Sequence, residues 1–322
     1  MTSEPRTALA DDDPDVQAYT RSRRMLFGIA YRILGNAADA EDVLQETWVR
    51  WQLCDRGAVR EPAAFLATTT TRLAINVLTS AHTRRETYIG PWLPTPVDTS
   101  SDPTLGAERA EALALATLLL MERLTPTERA AYVLREAFVY PYARIAEIVE
   151  TTEAAARQLV SRARKHLAGD ARRGVSVDAQ RTFFQAFLDA ARSGDTAVLE
   201  RMLANDAVSY TDGGGTVHRT ARRPIRSREK LVRFLLGISR WFWGDVTVQP
   251  VRANGQEAAL LSREGRVFAM LTITRDADAV SQIMWVMNPA KLGAITHRPE
   301  PSDASSSLPR VLLAGAHGNV EP

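Results

Sequence analysis

The sequence predicts a multidomain chain: two all-α domains followed by an α+β domain shaped as a cone. Three observations predict it. Apolar residues recur at helical spacing, with recognisable caps, from about Val16 to Leu167. After Gly174 the pattern changes to two short helices, a glycine-rich turn and a series of strand-like stretches ending near Met287. The length of 322 residues, with 45% hydrophobic and 24% charged residues, suits two or three domains with cores of their own.

Composition bounds the function. A net charge of +2 means that any nucleic-acid surface must be local. The single cysteine, Cys54, leaves no intramolecular disulfide and no metal cluster, which fits a reducing cytoplasm. The longest apolar run, Ala112 to Met121, is too short to cross a bilayer, and the N-terminus carries no apolar signal core. A cytoplasmic protein without metal, cofactor or membrane contact is expected.

Residues 1–14 are polar and acidic and read as a disordered tail. A first helix covers about Val16 to Leu34 and ends at Gly35, which tolerates left-handed backbone. Asn36 is a good N-cap for the next helix, and Asp39 forms a capping-box-like pair with it. Ala40, Val43, Leu44, Thr47, Trp48 and Trp51 face inward; Asp39, Asp42 and Glu46 gather on another face. By spacing alone that face is also read as a solvated surface. Asp55 to Glu61 is a loop, and Pro62 opens a third helix reaching about Ala81. Leu66, Thr69, Leu73 and Val77 would form its buried stripe, although Thr68 to Thr71 disfavour helix on propensity. Its other face presents Thr68, Arg72 and Asn76, and its end carries Arg84 and Arg85, groups suited to phosphate and base contacts or simply to solubility.

Residues 86–107 read as a linker. Trp92 and Leu93 within its proline-rich stretch have little use in water and predict docking. Leu105 to Leu124 reads as helix, and Thr125-Pro126-Thr127-Glu128 starts another that runs to about Phe138. Tyr142 to Val149, a turn at Glu150 to Thr152, and Glu153 to Leu167 have helix-turn-helix spacing. Ala156, Leu159, Val160, Ala163 and Leu167 face inward, and Arg157, Gln158, Ser161, Arg162, Arg164 and Lys165 face outward or flank. Residues 157–173 carry a local charge of +5, from six basic residues and Asp170. Beyond them, residues 177–297 form the α+β domain, and 298–322 read as a loose tail. Its helices are expected around Phe183–Leu188, Ala197–Leu203 and Ser227–Ser239. Its strands are expected at Val208–Tyr210, Val246–Val251, Glu257–Ser262, Val267–Thr274 and Val280–Met287, in a curved antiparallel sheet.

The stretch Tyr31-Arg32-Ile33-Leu34-Gly35-Asn36, followed by Asp39-Ala40-Glu41-Asp42-Val43-Leu44-Gln45-Glu46-Thr47, resembles region 2 of the extracytoplasmic-function (ECF) sigma factors. The resemblance implies that residues 15–85 are region 2 and that Asp39, Glu41, Asp42, Val43, Gln45 and Glu46 meet the β′ clamp helices of RNA polymerase. It assigns Phe65, Thr68, Arg72, Asn76, Arg84 and Arg85 to the minus-10 element, with a flipped base held by the loop Asp55 to Glu61. Residues 108–173 resemble region 4, which contacts the β flap and sends the helix bearing Arg157, Gln158, Ser161, Arg162, Arg164 and Lys165 into the minus-35 major groove. Glu150 stands where the family has Gly, at a cost of about 1 kcal/mol if φ is positive.

Three further stretches resemble motifs of the SigJ-like group, which carries a C-terminal SnoaL-like (NTF2-like) extension. These are Trp92-Leu93-Pro94, with Thr95 in place of Glu; Asp212-Gly213-Gly214-Gly215; and Asn288-Pro289-Ala290-Lys291-Leu292, with Ala290 in place of Asp. The apolar linker residues, the lack of a membrane segment or other evident control device, and a basic run in the extension lead to the expectation of intramolecular contact between the extension and the sigma domains, with no obvious separate anti-sigma factor. The basic run from Arg219 to Lys230 suits an acidic surface of the same chain or plain solvation. The alternative is a helix-turn-helix regulator whose cone senses a small ligand or is catalytic, through Asp206, Tyr210, Asp212, His218 or the aromatics Trp241, Phe242 and Trp243. Catalysis needs a base with a partner in a pocket, and the sequence shows neither, so no enzyme is expected.

Overall fold

The computed structural model describes residues 14–86, 88–100, 113–167, 177–218, 220–276 and 278–296. Both expected tails, apart from Pro14, and the expected helical stretch 105–112 lie outside them. The first three helices are α1 (Pro14–Leu34), α2 (Ala37–Leu53) and α3 (Pro62–Glu86). Gly35 closes α1 with φ +69°. The Asn36 side chain accepts from Ala38 N at 3.1 Å, so it caps α2 by itself, without the expected pairing to Asp39. Trp48, Trp51, Leu44 and Val43 pack with Leu26, Ile29 and Ile33 in one core.

The buried face of α3 is wider than its apolar spacing predicts. Thr70 and Thr71 are fully buried together with Leu66, Ala67, Ala74 and Leu78, whereas Thr69 and Val77 are only half-buried. The hydroxyls make this possible. Thr71 donates to Ala67 O at 2.8 Å, Thr47 donates to Val43 O at 2.8 Å, and the Thr47 and Thr70 hydroxyls meet at 3.2 Å. Threonines poor in helix propensity are thus satisfied by the carbonyl a turn below and by one another.

Helices α4 (Leu115–Met121), α5 (Pro126–Glu136), α6 (Tyr142–Ile148) and α7 (Glu153–Leu167) follow. Thr125 and Glu128 form the full reciprocal capping box of α5. Thr152 caps α7 by accepting from Ala155 N at 3.2 Å. Glu150, in the turn between α6 and α7, has φ +56°, the strained conformation anticipated for it. Arg129 of α5 is wholly buried, donates to Arg32 O of α1 at 3.0 Å and pairs with Glu122. Burial pulls its guanidinium down to about 9, still above neutrality, so it remains a cation joining the two helical units.

The last unit contains α8 (Val177–Ser193), α9 (Thr196–Met202), β1 (Leu203–Asp212), β2 (Ile225–Arg226), α10 (Arg228–Phe242), β3 (Thr247–Ala253), β4 (Gln256–Arg263), β5 (Arg266–Asp276), β6 (Ala279–Val286) and α11 (Pro289–Thr296). Sheet order is β2-β1-β6-β5-β4-β3. The sheet is mixed, not wholly antiparallel, because β1 and β6 pair in parallel. One face carries Ile283 and Trp285 against α8–α10, with Phe242 and Trp243. The other carries Met284, Val286 and Met270 and packs on Leu93 and Leu115. Both faces are covered, one by the cone's helices and the other by the preceding domains.

The turn between β3 and β4 pins this contact. Asn254 takes φ +54°, a backbone that Asn tolerates well, and is fully buried. Its amide donates to Tyr31 OH at 2.7 Å and to Leu113 O at 3.0 Å, and its oxygen accepts from Val97 N at 3.0 Å. Its own N–H reaches Val97 O at 3.0 Å. One side chain therefore bonds α1, the linker and the segment before α4. Asn254→Gly keeps the backbone freedom and removes those side-chain bonds. It is expected to lower stability by about 2–4 kcal/mol in urea unfolding, since each buried group left unpaired costs about 1–3 kcal/mol. Wild-type stability in that variant would show that the pin contributes nothing.

Candidate nucleic-acid interface and the clamp behind it

The three linker and extension motifs meet at one carboxylate. Asp212, at the end of β1, is 1% exposed. Its Oδ1 accepts from Tyr88 OH at 2.5 Å and Gly214 N at 3.0 Å. Its Oδ2 accepts from Leu93 N at 2.9 Å and from Lys291 Nζ of α11 at 2.6 Å. Lys291 also donates to Leu93 O and lies over the rings of Trp92 at 4.4 Å and Tyr88 at 5.1 Å. Asn288 donates to Tyr88 OH at 2.9 Å and accepts from Ala290 N at 3.0 Å. Burial and the carboxylate beside it hold the Tyr88 phenol well above its ordinary range, so it stays a donor at neutral pH. Gly214 has φ +64°, and a Cβ there would lie 2.7 Å from the Asn288 amide. Pro289 and Ala290 are exposed, and Ala290 joins the clamp through its backbone N–H.

The linker continues onto the first domain. Trp92 reaches Gly35, where an added Cβ would lie 3.0 Å from the indole, so that glycine is needed for shape as well as for its φ. Thr95, fully hydrogen-bonded, donates through its N–H to Gly35 O at 2.9 Å and through its hydroxyl to Asn36 Oδ1 at 3.2 Å. Tyr31 OH donates to Thr95 O at 2.5 Å. Neutral bonds thus do the docking where a glutamate was the usual residue. Pro94 is buried in the same strap.

The face of α3 expected to read DNA is partly covered by α6. Arg72 donates to Glu147 O at 2.9 Å and Ile148 O at 3.0 Å and pairs with Glu150 at 3.0 Å. It meets the free carbonyls and the negative end of α6. In return Arg144 of α6 donates to Ala64 O at 3.1 Å and Thr68 Oγ1 at 3.0 Å. An open crevice of about 590 Å³ lies beside this interlock, lined by Arg60, Glu61, Phe65 and Thr68 on one side and Arg144 and Glu147 on the other. Phe65 is half-buried against Trp51, and Asn76 is exposed. The side chains of Arg84 and Arg85 lie outside the described residues.

On α7, Arg157, Gln158, Ser161, Arg162, Arg164 and Lys165 are all exposed. Three of them are held by acids: Arg157 by Glu153, Arg162 by Glu128 at 3.0 Å and Arg164 by Glu136 at 2.6 Å. The Arg157 pair, exposed on both sides, contributes about 0–1 kcal/mol, whereas the Glu128 side chain that holds Arg162 is only 8% exposed. The bond to Glu136 raises the already high pKa of Arg164.

On α2 the structure corrects one assignment. Val43 is 2% exposed and belongs to the core, so it supports the helix and offers no surface. Asp42, Gln45 and Glu46 are exposed, while Glu41 pairs with Arg23 at 2.7 Å and Glu46 with Arg50 at 2.9 Å. Val49 and Leu53, 38% and 78% exposed, continue the same helical face. The sequence reading gave neither of them a place, because it looked for the outer face of α2 among charged residues alone. It also missed Tyr88, Arg144 and Asn254. Only Asn254 had a local signal, the Asn-Gly pair between two strand patterns.

The candidates for cone catalysis are dispersed. Asp212 is consumed by its four donors, Phe242 and Trp243 are core, and Trp241, Asp206 and His218 are exposed.

Comparison with known proteins agrees with this anatomy. Residues 18–84 match the Sigma-70 region 2 family and residues 114–167 match Sigma-70, region 4. The chain is 39% identical over 229 residues to the ECF RNA polymerase sigma factor SigJ of Mycobacterium tuberculosis, covering 70% of this chain and 73% of that one. It is 32% identical over 200 residues to the probable ECF RNA polymerase sigma factor SigI of the same species, covering 61% and 69%. The crystal structure of M. tuberculosis SigJ superimposes with a TM-score of 0.71 at 32% identity, covering 88% of this chain and all of that one.

The clamp makes a prediction of its own. Asp212→Asn leaves the Lys291 ammonium buried without its counter-charge and should destabilise the protein by about 3–5 kcal/mol. Adding Lys291→Met should recover part of that loss. Urea unfolding of the two variants decides it; equal stability of Asp212→Asn and wild type would mean that the pair is not a constraint.

Proposed function

The chain belongs to the extracytoplasmic-function sigma factors, and we propose that the arrangement described above is its closed form, in which the promoter-reading helices hold one another. Its function is promoter-specific transcription initiation with RNA polymerase. The observation that carries the closed reading is the interlock of Arg72 with the end of α6 and of Arg144 with α3. The names minus-10 and minus-35 set the two elements about 25 base pairs apart, or about 85 Å at roughly 3.4 Å per base pair. Helices that are hydrogen-bonded together cannot serve both elements at once, so α3 and α6–α7 separate before initiation. The crevice beside Phe65, close to the loop expected to hold a flipped base, would lose its α6 wall in the same step.

In this reading residues 15–85 act as region 2, 108–173 as region 4 and 177–297 as the regulatory extension, with 86–107 as the strap. Asp42, Gln45, Glu46, Val49 and Leu53 dock on polymerase: the charges steer and the two apolar residues supply burial. Thr68, Arg72 and Asn76 serve the minus-10 element, and Gln158, Ser161, Arg162 and Lys165 the minus-35 element. The cone holds the closed form and carries out no chemistry. An internal clamp and a separate anti-sigma partner are not alternatives, so the expectation of no such partner is dropped.

Run-off transcription with core polymerase on a pool of promoter fragments tests the function: defined start sites are expected, and their absence would overturn it. Arg144→Ala tests the interlock. It removes two bonds to α3, one of them to Thr68, and deletes no side chain proposed to contact DNA, so the open population should rise about 5–30-fold, the equivalent of about 1–2 kcal/mol. At limiting core polymerase the variant should form holoenzyme more readily, whereas Arg72→Ala should also lose minus-10 recognition. Identical assembly of Arg144→Ala and wild type would contradict the closed reading.

A further inference from the structure

Positive charge in the cone is concentrated in one stretch of sequence. Residues 219–240 contain eight basic residues and one acid, a net +7 in a chain whose total is +2. The structure separates two readings of this run. Arg222, Arg223 and Arg226 are exposed, and so is Lys230; none of the four has an ion pair among the described residues. Among the described residues the run therefore meets no acidic partner at these four positions; Arg219 lies outside them. Arg226 lies on edge strand β2, which leads through Ser227 directly into α10. On α10, Lys230, Arg233 and Arg240 follow at helical spacing on the solvent face, with Arg233 tied only to Glu229 at 2.9 Å, an exposed pair. Trp241, 55% exposed, ends the stripe. At a rise of about 1.5 Å per residue the helical part alone spans about 15 Å, the axial length of four to five base pairs. The other end of the patch adjoins the strap, where a Cβ added at Gly90 would lie 3.9 Å from the Arg222 backbone.

We infer that this patch, from Arg222 through Arg226 to Lys230 and Arg240, is a further DNA-binding surface that contacts the phosphate backbone of promoter duplex. The inference rests on the chain's role as a sigma factor, which brings the cone to a duplex already held by α7. Exposed cations without an ion pair among the described residues, spread over the bend before β2, β2 itself and the solvent face of α10, suit phosphates, and phosphate contacts carry no sequence preference. Once the helix-turn-helix is bound, the second contact is intramolecular, so even weak phosphate contacts count. A single-stranded partner would use stacking on Trp241 as its main contact.

The test uses the full chain with core polymerase and promoter duplex, in wild type and in Arg222→Ala/Arg223→Ala/Lys230→Ala. Three lost phosphate contacts should weaken promoter binding equally on all sequences and reduce the slope of log K against log salt by about 3. Replacing the same three positions so that each is lysine should restore both, since a phosphate contact accepts either cation; this arm also controls for folding. Start-site choice should stay unchanged, which separates failure of this surface from failure of the sigma assignment. An unchanged slope in the alanine variant would overturn the proposal. So would a defect confined to single-stranded RNA or anionic vesicles and absent on duplex, or a defect reproduced by Trp241→Ala alone.

Discussion

The buried pair of Asp212 and Lys291 is the constraint around which the chain closes. Taking two charges out of water costs several kcal/mol each, and their attraction repays this only with good geometry and further hydrogen bonds. The site supplies them. The carboxylate accepts from four donors, and the ammonium, besides the carboxylate, has a backbone carbonyl and two aromatic faces. What the pair adds is choice of partner: Tyr88, Leu93 and Trp92 fit around it in one arrangement. A hydrophobic patch of equal area would tolerate many. The strap thereby acquires a fixed register on the cone, and Thr95 and Trp92 carry that register to Gly35 and Asn36 on the first domain.

Closure is distributed over several modest contacts. The Asn254 pin, Arg129 against Arg32 O and the Arg72–Arg144 interlock each join elements far apart in sequence. None is large enough to make opening prohibitive. A polymerase surface that binds only the open form can therefore shift the population by its differential affinity. The arginines of α3 and α6 fit this role because their partners are mainly backbone carbonyls and exposed acids, which water or phosphate can replace at little cost. The Arg157–Glu153 pair of α7 is of the same exposed kind.

Local chemistry made much of this legible from sequence. The Thr125–Glu128 box, the Gly35 stop, the Thr152 cap and the strain at Glu150 are properties of a few adjacent residues, and the structure has each of them. The capping role given to Asp39 did not survive, and of the stripe given to α3 Leu66 and Leu73 are buried while Thr69 and Val77 yield to Thr70 and Thr71. Asn36 suffices as a cap, and threonine hydroxyls can be buried once the preceding turn accepts their protons. The parallel pairing of β1 with β6, the short strand β2 and helix α11 depend on which strands become neighbours, which periodicity within one strand does not reveal. Arg72 illustrates the same limit at the candidate site. Its type and position marked it for DNA, yet in the closed form its partners are carbonyls 75 and 76 residues away. Val43 was placed in a binding list by its motif and in the core by its spacing, and spacing decided.

The central claim is that the promoter-reading helices are locked together in the free chain and separate on polymerase. A pair of spin labels at Ser80 of α3 and Ala154 of α7, both exposed and neither assigned a DNA contact, with native Cys54 replaced, measures this directly. The account predicts one narrow, short distance in the free full-length protein and a distance longer by tens of ångströms once core polymerase is bound, as the roughly 85 Å between the elements requires. A long or broad distribution in the free chain, or an unchanged short distance in a transcribing complex, would contradict it.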